Sequence, residues 1–293
     1  MSAKVEQIIT DRIIQALENG TVPWQKPWMG VDNQPRNGVN KKPYRGINIW
    51  MCLAGGFTNP NYLTLKQILS LSLRVKYDQF KKSTPIMFWT FFEVDDKDTG
   101  EKKRIPMARF YSVYNVEQLE EIPDKFVVKA DRVNNNEIDA LCEQVVENFN
   151  NGPKIEEVVC DKACYHPLSD TVTINPIDRF NSSNHFYATM FHELGHSTGH
   201  NSRLSRDKAT YAFEELVAEI TATMLCSECK IDTADLFDNS AAYIASWLKV
   251  LKDDRRLIIK ASNMAQKSAD CILGRQRNVN GEIVDEDENT KAA

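Results

Sequence analysis

Residues 191–200 read Phe-His-Glu-Leu-Gly-His-Ser-Thr-Gly-His. Inside this stretch, His192-Glu193-Leu194-Gly195-His196 has the H-E-x-x-H spacing. Residues four apart share one face of an α-helix, so His192 and His196 can close on one metal ion with Glu193 beside it. Imidazole nitrogens suit Zn2+, and a catalytic zinc keeps three protein ligands and one open position. The ion acidifies a water held there, and Glu193 is the base that takes its proton. The spacing alone arises by chance in roughly one chain in a hundred of this length, so its surroundings carry the weight. Ser182 or Ser183 suits an N-cap, and Phe186, Met190 and Leu194 recur at helical spacing as a core-facing stripe. Four of the five histidines lie between 185 and 200.

The third ligand must come from elsewhere. The pattern H-E-x-x-H-x-x-G-x-x-H fails, because its last position is Ser202. His200 follows His196 too closely for the chain to turn back on the ion, and is expected to cap or pack near the helix end. Residues 212–222 form a strong helix pattern, and Glu215 lies nineteen residues after His196. That spacing resembles the glutamate-type zincins, with Glu215 as ligand. Glu219, one turn further, would then hold a ligand histidine in the right tautomer. Glu214 is the alternative ligand, and an acidic run of this kind also suits a solvated helix face.

The chain of 293 residues is long enough for two domains, and 42% apolar with 26% charged residues is ordinary for a soluble globular protein. No apolar run reaches the roughly 18 residues that span a bilayer. Residues 1–20 lack the basic start, apolar block and cleavage site of a secretory signal, so a cytoplasmic location without membrane contact is expected. Seven cysteines, odd in number and scattered, point to reduced thiols. Cys226 and Cys229 are expected to pack as small apolar groups rather than bind zinc.

Charge divides the chain. Residues 1–115 hold 17 Lys and Arg against 10 Asp and Glu, a balance of +7; the rest holds 19 against 31, a balance of −12. Such asymmetry points to a nucleic-acid face on the first part. Within it, Trp24, Lys26 and Trp28 sit among prolines, and Arg36, Lys41, Lys42 and Arg45 interleave with Tyr44 and Trp50. Lys66 adds a further cation. Cations track phosphates and rings stack on unpaired bases, so this set suits single-stranded DNA. The same tryptophans also suit the core of a small domain.

Along the chain, Val5 to Leu17 has helical periodicity and Gly20 stops it. Residues 62–69 look helical. Pro85–Val94 and Arg109–Val116 read as partner strands around a charged turn, so a helix-flanked antiparallel sheet is expected. Glu120–Asp124 marks a boundary. A helix over 135–149 follows, then strands at 155–159 and 171–175, the second expected as a sheet edge beside the H-E-x-x-H helix, positioned to take a peptide by strand addition. Helices continue to Leu273. The fold class is α+β, with domains over 1–122 and 123–273 and a disordered acidic tail over 274–293.

Two separated segments resemble one family. Leu17-Glu18-Asn19-Gly20-Thr21-Val22-Pro23-Trp24, Pro27-Trp28 and Tyr44-Arg45-Gly46-Ile47-Asn48 are similar to the N-terminal domain of ArdC-type antirestriction proteins. Residues 191–200 and Glu214-Glu215-Leu216-Val217-Ala218-Glu219 are similar to the zincin-like metallopeptidase domain of the same proteins, and Tyr114-Asn115-Val116-Glu117-Gln118 also resembles the family. The resemblance implies a single-stranded DNA-binding domain, a zinc peptidase domain, and protection of incoming plasmid or phage DNA from host restriction. It implies His192, His196 and Glu215 as zinc ligands with Glu193 as base. One segment departs from the family: Leu69–Asp78 has no glycine where a glycine-rich basic turn is usual. Two functions are open at this point. One is a zinc metallopeptidase, with host restriction proteins as substrates. The other is a non-enzymatic coat that shields single strands, its zinc site structural or inactive.

Overall fold

The computed structural model describes residues 3–25, 34–95, 102–127, 135–233, 236, 241–277 and 283–284. Two compact units share them. The first comprises Met1–Pro23, Asp32–Ala130 and Asn239–Ile259, and the second Trp24–Val31, Asp131–Asp238 and Lys260–Ala293. The division is therefore not the single cut near residue 122 expected from composition. Helix α1 (Ala3–Glu18) buries Ile9, Ile13, Ile14 and Leu17, and α7 (Ala241–Asp253) packs on it with Trp247 and Leu251 buried. Lys252 reaches Glu18 at 2.9 Å, and the Thr10 hydroxyl donates to the Arg255 carbonyl. An amphipathic face goes where its apolar partner is, whatever the distance along the chain.

The first unit is built on a four-stranded sheet. Its strands are β1 (Arg36–Asn37), β2 (Asn61–Thr64), β3 (Thr84–Asp95) and β4 (Lys102–Asn115), in the order β1-β2-β4-β3. β3 and β4 form a long antiparallel ribbon from Thr84↔Val113 to Asp95↔Lys102; the expected turn between them lies outside the described residues. The sheet is not wholly antiparallel, because β1 runs parallel to β2. Residues 62–69 are also not one helix. Thr64 ends β2 and caps α3 (Leu65–Ser70), exchanging hydrogen bonds with Gln67 in a capping box.

Successive residues of a strand face opposite sides, and β2 shows why both sides are covered. Leu63 joins Ile68, Tyr114, Val116, Leu119 and Phe126 on one side. Tyr62 joins Tyr44, Cys52, Ile86 and Val113 on the other. Helix α2 (Ile47–Leu53), not foreseen from the sequence, is buried along its length, and its Asn48 amide both donates to and accepts from the Met87 backbone at 2.7 Å.

The second unit holds α4 (Asn135–Glu147), a three-stranded sheet of β5 (Lys154–Glu157), β6 (Cys164–His166) and β7 (Thr171–Ile174), then α5 (Ser183–Ser197), α6 (Tyr211–Glu228) and most of α8 (Leu257–Ile272). The strand order is β5-β7-β6, so β7 is the central strand and not the edge that its following proline suggested. The edge beside α5 is β6, too short to signal itself by periodicity. Past Gly274, Gln276–Arg277 (β8) pairs with Ile283–Val284 (β9), so the expected tail carries a short ladder. Cys226 and Cys229 are buried free thiols. Among the described residues, no helix is long and apolar enough to cross a membrane.

Ser182 caps α5, and Phe186, Met190 and Leu194 are buried as their spacing predicts. α5 and α6 approach closely at Gly195, where a Cβ would stand 3.0 Å from the Ala218 Cα and 3.1 Å from its carbonyl oxygen. Only glycine fits without a shift of backbone. Replacing Gly195 with alanine should cost about 1–3 kcal/mol by overpacking, read as a thermal midpoint several degrees lower; an unchanged midpoint would contradict this packing.

Candidate metal centre

His192 and His196 lie one turn apart on α5, and Glu215 lies in the first turns of α6. The Nε2 atoms of the two histidines are 3.1 Å apart. Glu215 Oε2 is 3.7 Å from His192 Nε2, and its Oε1 is 3.7 Å from His196 Nε2. All three residues offer ligand atoms within 4.8 Å of one another. Donors about 2.0–2.1 Å from one tetrahedral ion stand roughly 3.3 Å apart, so two imidazoles and a carboxylate at these separations fit a single divalent cation. Among the described residues this is the one such cluster. Burial, with the neighbouring His196, holds the His192 imidazole down at about 3, the neutral form that a ligand needs.

Glu193 is buried beside the cluster, and its Oε2 accepts the Tyr165 backbone N–H at 2.7 Å. Burial raises its carboxyl above the ordinary range, against the opposing effects of His196 and the Tyr165 N–H. That N–H belongs to β6, on the side of the strand not used by β7. The sheet edge and the candidate base are thus joined by one hydrogen bond.

Two buried arginines brace this arrangement, and neither was anticipated from spacing. Arg206 holds Glu214 through contacts of 2.6 and 3.0 Å, and also donates to the Gly195 carbonyl and the Thr198 hydroxyl. Glu214 Oε1 in turn lies 3.6 Å from His196 Nδ1. Burial acts to raise the Glu214 carboxyl, but the bonds from His196 and Arg206 outweigh it and hold it below its usual value. Glu214 is therefore placed behind His196 rather than in the His192–His196–Glu215 cluster. Glu219 is buried one turn beyond Glu215. Arg203 donates to the Ser197 and Asn151 carbonyls and pairs with Asp170, which accepts the Tyr165 hydroxyl at 2.8 Å. This network ties β6 to the end of α5.

Other expected residues divide. His200 bonds Ser202 and lies 4.0 Å from Asp170, away from the ligand atoms. Tyr187 is buried and its hydroxyl donates to Glu143, so it does not face the cluster. Tyr211 is exposed and bonds Glu215, whose charge raises its hydroxyl. Lys162, exposed, brings positive charge to His192, Glu193 and Tyr211.

The expected DNA-contacting rings need correction. Trp24, Tyr44 and Trp50 are buried, and Tyr44 packs edge-on against Tyr62 at 6.2 Å. Large aromatic surface gains most from the core, and these rings have no free face for a base. Lys26 and Trp28 lie outside the described residues. The cations differ: Lys41, Lys42 and Lys66 are exposed, while Arg36 and Arg45 are half-buried. Lys41 also donates to Asn61 at 3.2 Å and lies 5.1 Å from the Phe126 ring centroid.

Comparison with known proteins matches two stretches of the chain. Residues 3–114 match the N-terminal domain of anti-restriction factor ArdC, and residues 142–264 match a zincin-like metallopeptidase domain. Crystal structures of the antirestriction protein ArdC from plasmid R388 are 35% identical, with TM-scores of 0.72. The metal-free form covers 93% of this chain and 97% of that one, and the Mn(II)-bound form 92% and 97%. DNA primase TraC of Escherichia coli is 34% identical over 91% of this chain, which spans 20% of that primase's length.

If Glu214 orients His196, then Arg206→Ala should weaken divalent-metal affinity by roughly ten- to a hundredfold, measured by calorimetric titration. His200→Ala should leave it unchanged. Equal affinities in the two variants would rule out this role for the Arg206–Glu214 pair.

Proposed function

Because this chain belongs to the ArdC antirestriction family and carries a zincin-like metallopeptidase domain, we propose that it is a metal-dependent peptidase that also binds single-stranded DNA. The observation that carries the enzymatic half is the convergence of His192, His196 and Glu215 beside the buried Glu193. His192, His196 and Glu215 would hold the ion, with zinc the favoured identity for a site dominated by imidazole. When bound, the ion supplies Lewis-acid polarisation of a scissile carbonyl and acidifies water.

The chain's own residues supply the rest. Glu193 takes a proton from the attacking water and returns it to the leaving amine, and its raised carboxyl suits both directions of transfer. β6 replaces the β7 edge expected from sequence as the sheet edge beside Glu193, and a peptide adding to it would take over the Tyr165 N–H that Glu193 now holds. Arg206 and Glu214 keep His196 in one tautomer, and Glu219 is the further carboxylate available for this task. Tyr211, exposed and hydrogen-bonded to Glu215, is a candidate donor for a developing oxyanion.

The DNA-binding half rests on the match to the ArdC N-terminal domain, the positive balance of residues 1–115, and a relative whose name is DNA primase. Together the two halves describe a protein that meets incoming plasmid or phage strands in the cytoplasm and cuts host restriction proteins there.

A Glu193→Gln variant should bind zinc as the parent does yet lose all cleavage of purified restriction enzymes or unfolded casein. Chelation should abolish cleavage by the parent and leave its single-strand affinity unchanged. Fragments produced by the variant, or by the chelated parent, would refute the catalytic assignment.

A further inference from the structure

The burial of Tyr44 and Trp50 leaves open which rings of the first unit a base could reach. The segment Arg74-Val75-Lys76-Tyr77-Asp78-Gln79-Phe80-Lys81-Lys82 offers an answer. Tyr77 is 99% exposed and Phe80 53%. Four cations flank them, and all four are exposed. The acidic residues on the segment and hydrogen-bonded to it are Asp78, 3.9 Å from Lys82, Glu117, whose carbonyl accepts Lys76 Nζ, and Glu120, whose N–H donates to the Arg74 carbonyl. The positive charges exceed the negative.

The rings stand on a fixed backbone. Lys76 N–H donates to the Gln118 carbonyl at 2.9 Å, and Gln118 Nε2 donates to the Lys82 carbonyl at 3.0 Å. Lys76 Nζ is anchored on the Glu117 carbonyl. The Tyr114 hydroxyl donates to the Phe80 carbonyl at 2.8 Å, and one turn of 3-10 helix runs over Tyr77–Gln79. Val75 forms a bridge with Leu119, and Leu71, Leu73 and Val75 pack against the Leu63–Phe126 cluster. Apolar residues of this stretch thus already face inward, while Tyr77 turns out into solvent. The Phe80 ring stacks at a tilt against Tyr114, 6.3 Å between centroids. Tyr114, Ser112 and Phe110 alternate on one face of β4, and Phe110 is also exposed.

We propose that Arg74–Lys82 is the stacking platform for single-stranded nucleic acid. Tyr77 and Phe80 carry unpaired bases, Arg74, Lys76, Lys81 and Lys82 carry phosphates, and Phe110 extends the track. The assignment rests on the reading of the first unit as a single-strand binder. An ordered backbone leaves only side-chain freedom to be lost when a base stacks, and every base has a face to offer, so recognition is indifferent to sequence. Duplex DNA hides those faces and gains only from the cations.

The test uses the full chain and a labelled dT oligomer of about sixteen nucleotides, a span comparable to one binding module. Fluorescence anisotropy across a salt series gives affinity and slope. Tyr77→Ala should weaken binding roughly tenfold, Tyr77→Trp should restore it, and both should melt as the parent does because Tyr77 packs on nothing it would leave empty. Lys81→Ala with Lys82→Ala should flatten the salt slope by about one to two units. If the parent binds and Tyr77→Ala binds as tightly, the platform is wrong and the single-strand reading stands. If the parent binds the oligomer at no salt concentration, or binds anionic vesicles instead, both fall.

Discussion

Everything in the second unit depends on how closely α5 and α6 come together. Gly195 has no side chain, and Ala218 faces it from α6 with the smallest one available. That contact brings the two helix axes near enough for a short carboxylate on one to meet two imidazoles on the other. A wider crossing would leave Glu215 reaching across empty space, because a glutamate side chain cannot follow its helix outward by more than a small distance. The two unnamed positions of the H-E-x-x-H pattern are therefore not neutral here. Leu194 is buried in the core, and Gly195 sets the separation.

Close packing alone does not fix side-chain directions, and the buried arginines do that. Arg203 and Arg206 belong to the same turn after α5, yet they act on different parts of the site. One ties the β6–β7 turn to the end of α5 through Asp170, and the other presses Glu214 onto His196. Taking guanidinium groups out of water is costly, and an apolar pair of similar size would often be at least as stable. What an apolar pair cannot do is fix the orientation of an imidazole or hold a backbone N–H on a carboxylate. The positions of these arginines make sense as geometry first and stability second.

The histidine pair and the helix that bears them were legible because the chemistry requires a fixed spacing, and helical periodicity around it was strong. Glu215 was legible through a longer spacing. Arg203, Arg206, Asp170 and Tyr165 were not, since they meet only in three dimensions and share no period. The strand β6 escaped notice for a different reason: three residues are too few to show alternation. The proline after β7 suggests an edge strand, but Pro176 lies beyond the last paired residue and constrains nothing within the ladder. Helical character up to Leu273 is legible in the sequence, while the membership of α7 in the first unit is not, because an amphipathic pattern states that a face will be buried and not against what.

Aromatic residues in the first unit show the limit most directly. A tryptophan beside prolines and cations satisfies two descriptions, a core anchor and a base-stacking surface, and composition cannot separate them. Burial can, since a ring enclosed on both faces gains its full apolar transfer energy and offers nothing to a ligand. Tyr44 and Trp50 follow the first course. Tyr77 follows the second: its neighbours Val75 and Leu73 supply the apolar contacts that hold the segment down, leaving the tyrosine with no structural task. The cations beside it cannot explain its exposure either, for cations alone need no ring. A large ring exposed to water on an ordered turn, in a segment with more cations than acids, is matched by a ligand that is both flat and anionic, and an unpaired nucleotide is both.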